Sequence, residues 1–256
     1  MNLISSPMNG HKFVIVDGID GAGKSTVLGA ARTWLEARPL VVFDASEFQK
    51  ANHRLPTVQD LPPNTAAILT AEPTHCGIGR AIRDIVIAKG SPYTAWQTAQ
   101  AFALDRDTLY RTLLMPFLES RTGQEAWVIH DRGIVSSLAY QPLQSQRNGD
   151  TDPVTVKKML ALPGNQTALA CAPTDFIFLD VGSDIAQRRL QARSDKQDND
   201  IFDDTGFQAA LAERYLSDEV LAPFIRANFH LTILDGSKSQ PEVALAMQGA
   251  LDRIAS

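Results

Sequence analysis

The most constraining feature of this sequence is residues 12–26, KFVIVDGIDGAGKST. An apolar run, Phe13–Val16, leads into a glycine-rich turn, and a helical pattern follows at once. Four residues occupy the fixed positions of the pattern G-x-x-x-x-G-K-[ST]: Gly18, Gly23, Lys24 and Ser25. A strand, such a loop and a helix in this order predict that backbone N–H groups wrap around phosphate groups at a helix N-terminus.

This loop predicts that the chain binds a nucleoside triphosphate. Lys24 adds a positive charge for the β- and γ-phosphates, and the hydroxyl of Ser25 is placed to ligate Mg²⁺. The alternative is a glycine-rich turn with a chance lysine, which the flanking strand and helix disfavour. The loop by itself does not define the reaction.

Beyond the loop, apolar runs alternate with helical patterns, which predict among others a long helix from Thr94 to Glu119 and a helix from Ile134 to about Gln141. Besides Phe13–Val16, four runs predict strands: Ala66–Thr70, Trp127–His130, Asp175–Asp180 and Leu231–Gly236. Leu40–Phe43 is a further candidate for a short strand. Continuous apolar strands alternating with helices are typical of a parallel sheet covered on both faces. We therefore expect an α/β fold with a five-stranded parallel sheet and a ligand site at the carboxyl ends of the strands.

The composition predicts one soluble globular domain over residues 1–256, with 44% hydrophobic and 21% charged residues. A net charge of −5 disfavours a nucleic acid polymer as partner but permits a small anionic ligand in a basic pocket. No segment has the length of a membrane span, and the N-terminus lacks a signal-peptide pattern, so we expect a cytoplasmic protein without a membrane partner. Cys76 and Cys171 lack metal-site spacing and are expected to be free thiols.

Two further groups of residues suggest phosphate and base binding. Asp131 and Arg132 end a predicted strand, where the carboxylate can orient Mg²⁺ and the guanidinium can bind a phosphate; the alternative is a pair that caps the next helix. Phe102 and Arg106 share a helix face and suit a planar base, although a core phenylalanine beside a solvated arginine is more common.

A third group is a set of arginines on one short helix before an acid-rich loop: Arg188, Arg189 and Arg193. Enzymes that transfer phosphoryl groups stabilise the developing negative charge with mobile arginines. A solvated charged helix is an equally good interpretation of this pattern.

Taken together, these segments resemble the thymidylate kinase family of nucleoside monophosphate kinases. The resemblance is carried by residues 17–26, 71–83, 102–106, 128–141 and 176–193. Residues 40–66 fall outside it and are expected to be an insertion. The resemblance implies a three-layer P-loop NTPase fold with a mobile lid at about 188–204, and a homodimer. It also implies ATP- and Mg²⁺-dependent phosphoryl transfer to a deoxynucleoside monophosphate, with dTMP as the first candidate.

The resemblance also implies a role for each matching residue. ATP would be bound by Gly18, Gly21, Ala22, Gly23, Lys24, Ser25, Thr26 and Arg189, and Mg²⁺ by Ser25 and Asp131. The acceptor nucleotide would contact Glu72, Phe102, Arg106, Arg132, Tyr140 and Gln141. Phe102 would stack on the base, Arg106 would donate to its carbonyl edge, and Arg132 would bind the 5′-phosphate. Tyr140 would exclude a 2′-hydroxyl, with Gln141 close by. The catalytic set would be Lys24, Asp20, Arg132 and Arg193, with Asp20 near the sugar 3′-hydroxyl.

In the bacterial type of the family, the P-loop has glycine at the position of Gly21 and the lid supplies the catalytic arginine. The resemblance therefore implies that this arginine is Arg193, or next Arg189. Where the family often has arginine, this chain has Ala71, and His75 and Arg80 are the candidate substitutes.

Two other departures concern the acceptor and the lid. Gly133 replaces an aromatic residue and is expected to leave room beside the acceptor. Asp195, Asp198 and Asp200 make the lid acidic. Two alternatives therefore stay open: a kinase of another acceptor, such as a modified dUMP, a different dNMP or a nucleoside, and a regulatory nucleotide-binding protein with little catalysis.

Overall fold

The computed structural model describes residues 10–171, 173–192, 205–225 and 229–256. One parallel sheet of six strands lies at its centre, in the order β2-β3-β4-β1-β5-β6. The strands are β1 His11–Asp17, β2 Val41–Asp44, β3 Thr65–Ala71, β4 Ala126–Asp131, β5 Asp175–Asp180 and β6 His230–Asp235.

All five predicted strands are confirmed, but the predicted count was one too low. The additional strand, β2, is four residues long and pairs only with β3 at the edge of the sheet. It confirms the candidate strand at Leu40–Phe43, although its side chains are exposed or half-buried rather than buried as in the central strands. It lies within residues 40–66, the segment expected to be an insertion.

Helices cover both faces of the sheet. Their bounds are α1 Lys24–Glu36, α2 Ala45–Asn52, α3 Gly77–Ala81, α4 Ala95–Leu109, α5 Met115–Ser120, α6 Ile134–Asn148, α7 Val156–Leu160, α8 Pro163–Ala170, α9 Ser183–Gln191, α10 Thr205–Tyr215, α11 Asp218–Ile225 and α12 Gln240–Ala255. On one face, Trp34 of α1 packs edge-on against Trp127, with ring centroids 5.0 Å apart. On the other face, Tyr110 packs against Phe13 and His130. Successive residues of a strand point to opposite faces, which accounts for both layers.

Two helices differ from expectation. The predicted helix from Thr94 to Glu119 consists of α4 and α5 joined by a π-helical segment, Tyr110–Leu114. Helix α6 was expected to end near Gln141 but continues to Asn148 through Pro142. Its side chains stay largely buried beyond the proline, and that packing outweighs the one backbone hydrogen bond that proline removes.

The lid expected at about 188–204 is only partly within the described residues. Helix α9 covers its beginning, whereas residues 193–204 lie outside them. None of the helices in the described ranges is both long and apolar enough to cross a bilayer.

Candidate active site

A cavity of about 340 Å³ opens at the carboxyl ends of β1, β3 and β4. On one side it is lined by Asp20, Gly21, Gly23, Lys24 and Ser25 of the predicted phosphate loop. On the other side it is lined by Glu72, Phe102, Asp131, Arg132, Tyr140 and Gln141. The fold therefore brings most of the predicted donor-side and acceptor-side residues to one cavity.

The phosphate loop is closely covered by α9. Gly21 and Gly23 have φ angles of 81° and 103°, which favour glycine. A Cβ on Gly21 would collide with the carbonyl oxygen of Ala186. Position 21 therefore has no space for a side chain, in agreement with the expectation that a catalytic arginine comes from elsewhere.

The ammonium group of Lys24 lies at the floor of the loop. It donates to the carbonyl oxygens of Gly18 at 2.8 Å and Ile19 at 2.9 Å, and it lies 3.8 Å from the Asp20 carboxylate. Burial and the charge of Arg132 lower the pKa of Lys24, although the nearby carboxylates partly oppose this.

Asp20 and Arg132 form an ion pair that faces the cavity. The hydroxyl of Tyr140 donates to Asp20 Oδ2 at 3.2 Å and accepts from Arg132 at 3.2 Å. Burial acts to raise the pKa of Asp20, but Arg132 and Lys24 outweigh it and lower the pKa to about 2. Asp20 is thus ionised at neutral pH.

Helix α10 contributes two residues that the sequence analysis missed. The amide of Gln208 accepts from Asp20 N–H at 3.2 Å and donates to Asp20 Oδ2 at 3.3 Å. The hydroxyl of Tyr215 donates at 2.8 Å to Asp17, a further missed residue at the end of β1. Asp17 is fully buried and accepts from Ser136 at 2.6 Å, and burial raises its pKa. Of these residues, only Asp17 could have been found from the sequence, because it directly precedes the loop.

Arg106 is fully buried behind the cavity wall. It donates to Glu72 at 2.6 Å, to Ser137 at 2.9 Å and to Asn165. Glu72 also contacts His130 Nε2 at 3.1 Å. Both terminal nitrogens of Arg106 are therefore used within the protein, and the contact between Arg106 and a base edge stays a prediction.

Arg83 is a cavity-lining cation that the sequence analysis did not single out. It donates to the carbonyl oxygens of Pro73 and Thr74, and no carboxylate of the described residues lies within 4.0 Å of it. Burial lowers its pKa, and Arg132 adds to this effect, so two guanidinium groups converge on the cavity. The suggested substitute Arg80 is instead exposed and paired with Asp84.

Ala71 and Gly133, where the chain departs from the family pattern, are not among the residues that line this cavity. Ala71 lines a second cavity of about 230 Å³, together with His75, the other suggested substitute. Gly133 was expected to leave room beside the acceptor, and this stays a prediction. A Cβ on Gly133 would lie 3.2 Å from the imidazole of His130, which occupies the adjacent space.

The predicted Mg²⁺ residues share the main cavity. Ser25 and Asp131 both line it, and Asp131 Oδ1 is buried with no hydrogen-bond partner among the described residues. No group of three or more His, Cys, Asp or Glu residues in the described part of the chain could hold a metal ion. A few protein ligands suit Mg²⁺ that is bound mainly by phosphates and water, so the residues fit that ion.

Of the two lid arginines, Arg189 packs on the loop. It donates to Gly236 O at 2.7 Å and to Ala22 O at 3.3 Å, which links α9 to the phosphate loop and to the turn after β6. Arg193, Asp195, Asp198 and Asp200 lie outside the described residues. Cys76 and Cys171 are free thiols, as expected.

The chain is similar to curated kinases over most of its length. A family model described as thymidylate kinase matches residues 50–222, a range that begins within α2 and excludes the phosphate loop. The thymidylate kinase of Synechococcus sp. (strain CC9605) is 29% identical over 187 residues, which are 72% of this chain and 75% of the relative. A probable thymidylate kinase of Thermococcus gammatolerans is 29% identical over 221 residues, 84% of this chain and 86% of the relative.

Proposed function

The chain belongs to the thymidylate kinase family and is a nucleoside monophosphate kinase, and from this premise we propose that it transfers the γ-phosphoryl group of ATP to dTMP with the help of Mg²⁺. The observation that carries the proposal is the single cavity that joins Lys24 and Ser25 to Phe102, Arg83 and Arg132. Phosphoryl transfer needs donor and acceptor held in line in one water-excluding site.

On the donor side, Lys24 exchanges its two loop carbonyl partners for the β- and γ-phosphates of ATP. Its distances of 2.8 and 2.9 Å to these carbonyls support a group that already points to the centre of the loop. The N–H groups of the loop and of α1 bind the remaining phosphate oxygens. Ser25 and Asp131 hold Mg²⁺, which neutralises phosphate charge.

On the acceptor side, Arg132 and Arg83 bind the 5′-phosphate. Burial and, after it, the charge of Arg132 lower the pKa of Arg83, and an anion between the two guanidinium groups relieves their repulsion. Arg83 thus takes the place of the arginine that the family often has at the position of Ala71. Tyr140 packs against the deoxyribose, held by its hydrogen bonds to Asp20 and Arg132.

The base stacks on Phe102, and Ser137 and Gln141 bind its edge. Ser137 Oγ accepts from Arg106, so its own hydrogen is free to be donated into the cavity. Gln141 Oε1 is buried and has no partner among the described residues, so it accepts from the ligand. The Ser137 hydroxyl can donate to O4 of thymine, and Gln141 Oε1 can accept from N3–H. Cytosine presents a donor and an acceptor in the reverse order. Arg106 acts through Ser137 in this arrangement.

The modified-dUMP alternative loses part of its support. It was motivated by Gly133 and by the missing arginine at Ala71, and the second reason loses weight because Arg83 adds a cation to the main cavity. The regulatory alternative is disfavoured by family membership and by the cavity's set of cations. Lid closure excludes water from the site, and Arg193 remains our candidate for the lid cation.

The test is ADP release measured by a coupled assay with dTMP, dUMP, 5-hydroxymethyl-dUMP, dCMP, dAMP and dGMP as acceptors. We expect the highest kcat/KM with dTMP, about 10–200-fold less with dUMP for one lost methyl group, and about 10⁴-fold less with dCMP for reversed hydrogen bonds. A higher kcat/KM with 5-hydroxymethyl-dUMP than with dTMP would favour the alternative acceptor. ADP release that no monophosphate stimulates would refute kinase activity.

A further inference from the structure

We propose that residues 40–66 brace the acceptor loop, residues 72–76, and that Gln49 is the positioning residue that does so. The inference rests on the proposed function, because that function assigns the loop to the acceptor side. It gives a role to the segment that the resemblance left out.

The acceptor loop is anchored at successive residues. Thr74 donates both its backbone N–H and its hydroxyl to the Asp105 carboxylate, each at 2.7 Å. Arg83 donates to the carbonyl oxygens of Pro73 and Thr74. The backbone N–H of His75 donates to Gln49 Oε1 at 2.7 Å. Without Gln49, this backbone group loses its partner next to a buried part of the loop.

Gln49 is well placed for this role. It lies on α2 and is fully buried. Asp44 caps the N-terminus of α2 by accepting from Glu47 N–H at 2.9 Å, and it also pairs with Arg32 of α1. The brace therefore connects the acceptor loop to the helix that follows the phosphate loop.

This connection fixes the spacing between donor and acceptor sides. The acceptor loop includes Glu72 and Pro73, which line the cavity, and its carbonyl groups orient Arg83. A displacement of about 1 Å in a positioning element can lower turnover about 100-fold. We therefore expect Gln49 to affect acceptor binding without affecting ATP binding.

The experiment compares Gln49→Met, which keeps the shape but removes the oxygen, with Gln49→Glu, which keeps an acceptor oxygen. Asn52→Ala, at an exposed position of the same helix, is the matched control. We expect Gln49→Met to raise the KM for dTMP about tenfold, the equivalent of one lost hydrogen bond, and to leave the KM for ATP within twofold. Hydrogen–deuterium exchange at the His75 amide should become faster. Gln49→Glu should restore most of both effects, and Asn52→Ala should show neither.

The outcomes separate this inference from the proposed function. An unchanged KM for dTMP together with unchanged exchange at His75 would overturn the brace, while wild-type turnover of dTMP would still support the kinase. Equal increases in both KM values would also overturn it, since they indicate general damage. If the wild type does not phosphorylate dTMP, the proposed function fails, and faster exchange at His75 in Gln49→Met still supports the brace.

Discussion

At the residue scale, the cavity contains cations that differ in how far the protein neutralises them. Arg132 is paired with Asp20, Lys24 is held mainly by carbonyl groups, and Arg83 is held by carbonyl groups alone. A carbonyl oxygen stabilises a cation less than a carboxylate does, so Lys24 and Arg83 keep more capacity to bind phosphate.

Lys24→Ala tests this at the donor side. We expect kcat to fall about 10²–10³-fold, the order found when one preorganised electrostatic partner is removed. Steady-state kinetics with dTMP and ATP measure it, and the urea midpoint checks that the variant is folded. A kcat close to that of the wild type would contradict the assignment of the phosphate loop.

Glu72→Gln tests the buried pair with Arg106. Burial acts to raise the pKa of Glu72, but Arg106 and the hydrogen bonds from His130 and Arg106 outweigh it and lower the pKa below 4.5. The stabilisation is therefore complete above pH 4.5 and is lost as the pH falls through the folded-state pKa. At pH 7 the variant leaves Arg106 without a carboxylate partner. Its free energy of unfolding should therefore be about 3–5 kcal/mol lower than that of the wild type.

Urea unfolding of this variant and the wild type from pH 7 to pH 3.5 measures the difference. The difference should narrow as the pH falls below 4.5, because unfolded wild type then takes up a proton at Glu72 that the folded state binds only at lower pH. Glu213→Gln, at an exposed position of α10, should differ from the wild type by no more than about 0.5 kcal/mol throughout. A difference for Glu72→Gln that does not depend on pH would contradict the ion pair.

Local sequence could predict the loop residues but not the surroundings of Arg106. Lys24 and Ser25 depend on spacing within eight residues, and Phe102, which the resemblance assigned to the acceptor side, lines the cavity. The partners of Arg106 come from Glu72, Ser137 and Asn165, which are 31 to 59 residues away in sequence. A period of 3.6 identifies a helix face but not the side chains opposite it.

At the element scale, α9 fixes the shape of the phosphate loop from above. Gly21 combines a left-handed φ with a close approach to α9, so Gly21→Ala should strain the loop by more than the 1–2 kcal/mol of the backbone conformation alone. We expect a higher KM for ATP and a lower urea midpoint.

Gly29→Ala is the matched control for this substitution. Gly29 lies on α1 with no atom near the position of a Cβ, so alanine there should stabilise the protein by about 0.5–1 kcal/mol. Kinetics and urea unfolding of both variants should thus give stability changes of opposite sign. Two changes of the same sign would contradict the close contact between α9 and the loop.

Strands were predictable from apolar runs, but the length of the run decided how firmly. The central strands are buried on both faces and have long apolar runs, whereas the edge strand β2 has a run of only four residues and was a candidate only. Pro142 suggested a helix end because propensity is a local quantity, but the buried face of α6 continues past it. Tertiary packing decided both cases.

At the scale of the whole molecule, strand order creates the site. Strand β1 lies between β4 and β5, so the phosphate loop is adjacent to Asp131 and Arg132, more than 100 residues later in sequence. This parallel α/β arrangement was predictable from the alternation of elements, which also predicted that loops at the carboxyl ends meet. The additional strand, β2, extends the sheet beyond β3 on the acceptor side without changing the order of the other strands.

A molecule with donor and acceptor sites in one cavity should be stabilised by each ligand separately. A ligand at 100 times its Kd adds about 2.7 kcal/mol to the folded state, which corresponds to a rise in Tm of about 5–10 °C for a chain of this size. We expect such rises in differential scanning calorimetry with dTMP and with a non-hydrolysable ATP analogue plus Mg²⁺.

In Lys24→Ala the rise with the ATP analogue should be largely lost while that with dTMP persists, because Lys24 lies on the donor side of the cavity. The same concentration of dCMP should give a smaller rise than dTMP, since Ser137 and Gln141 present the wrong hydrogen-bond order to cytosine. Equal rises with dCMP and dTMP would contradict the proposed base recognition, and loss of the dTMP rise in Lys24→Ala would contradict the separation of the two sites.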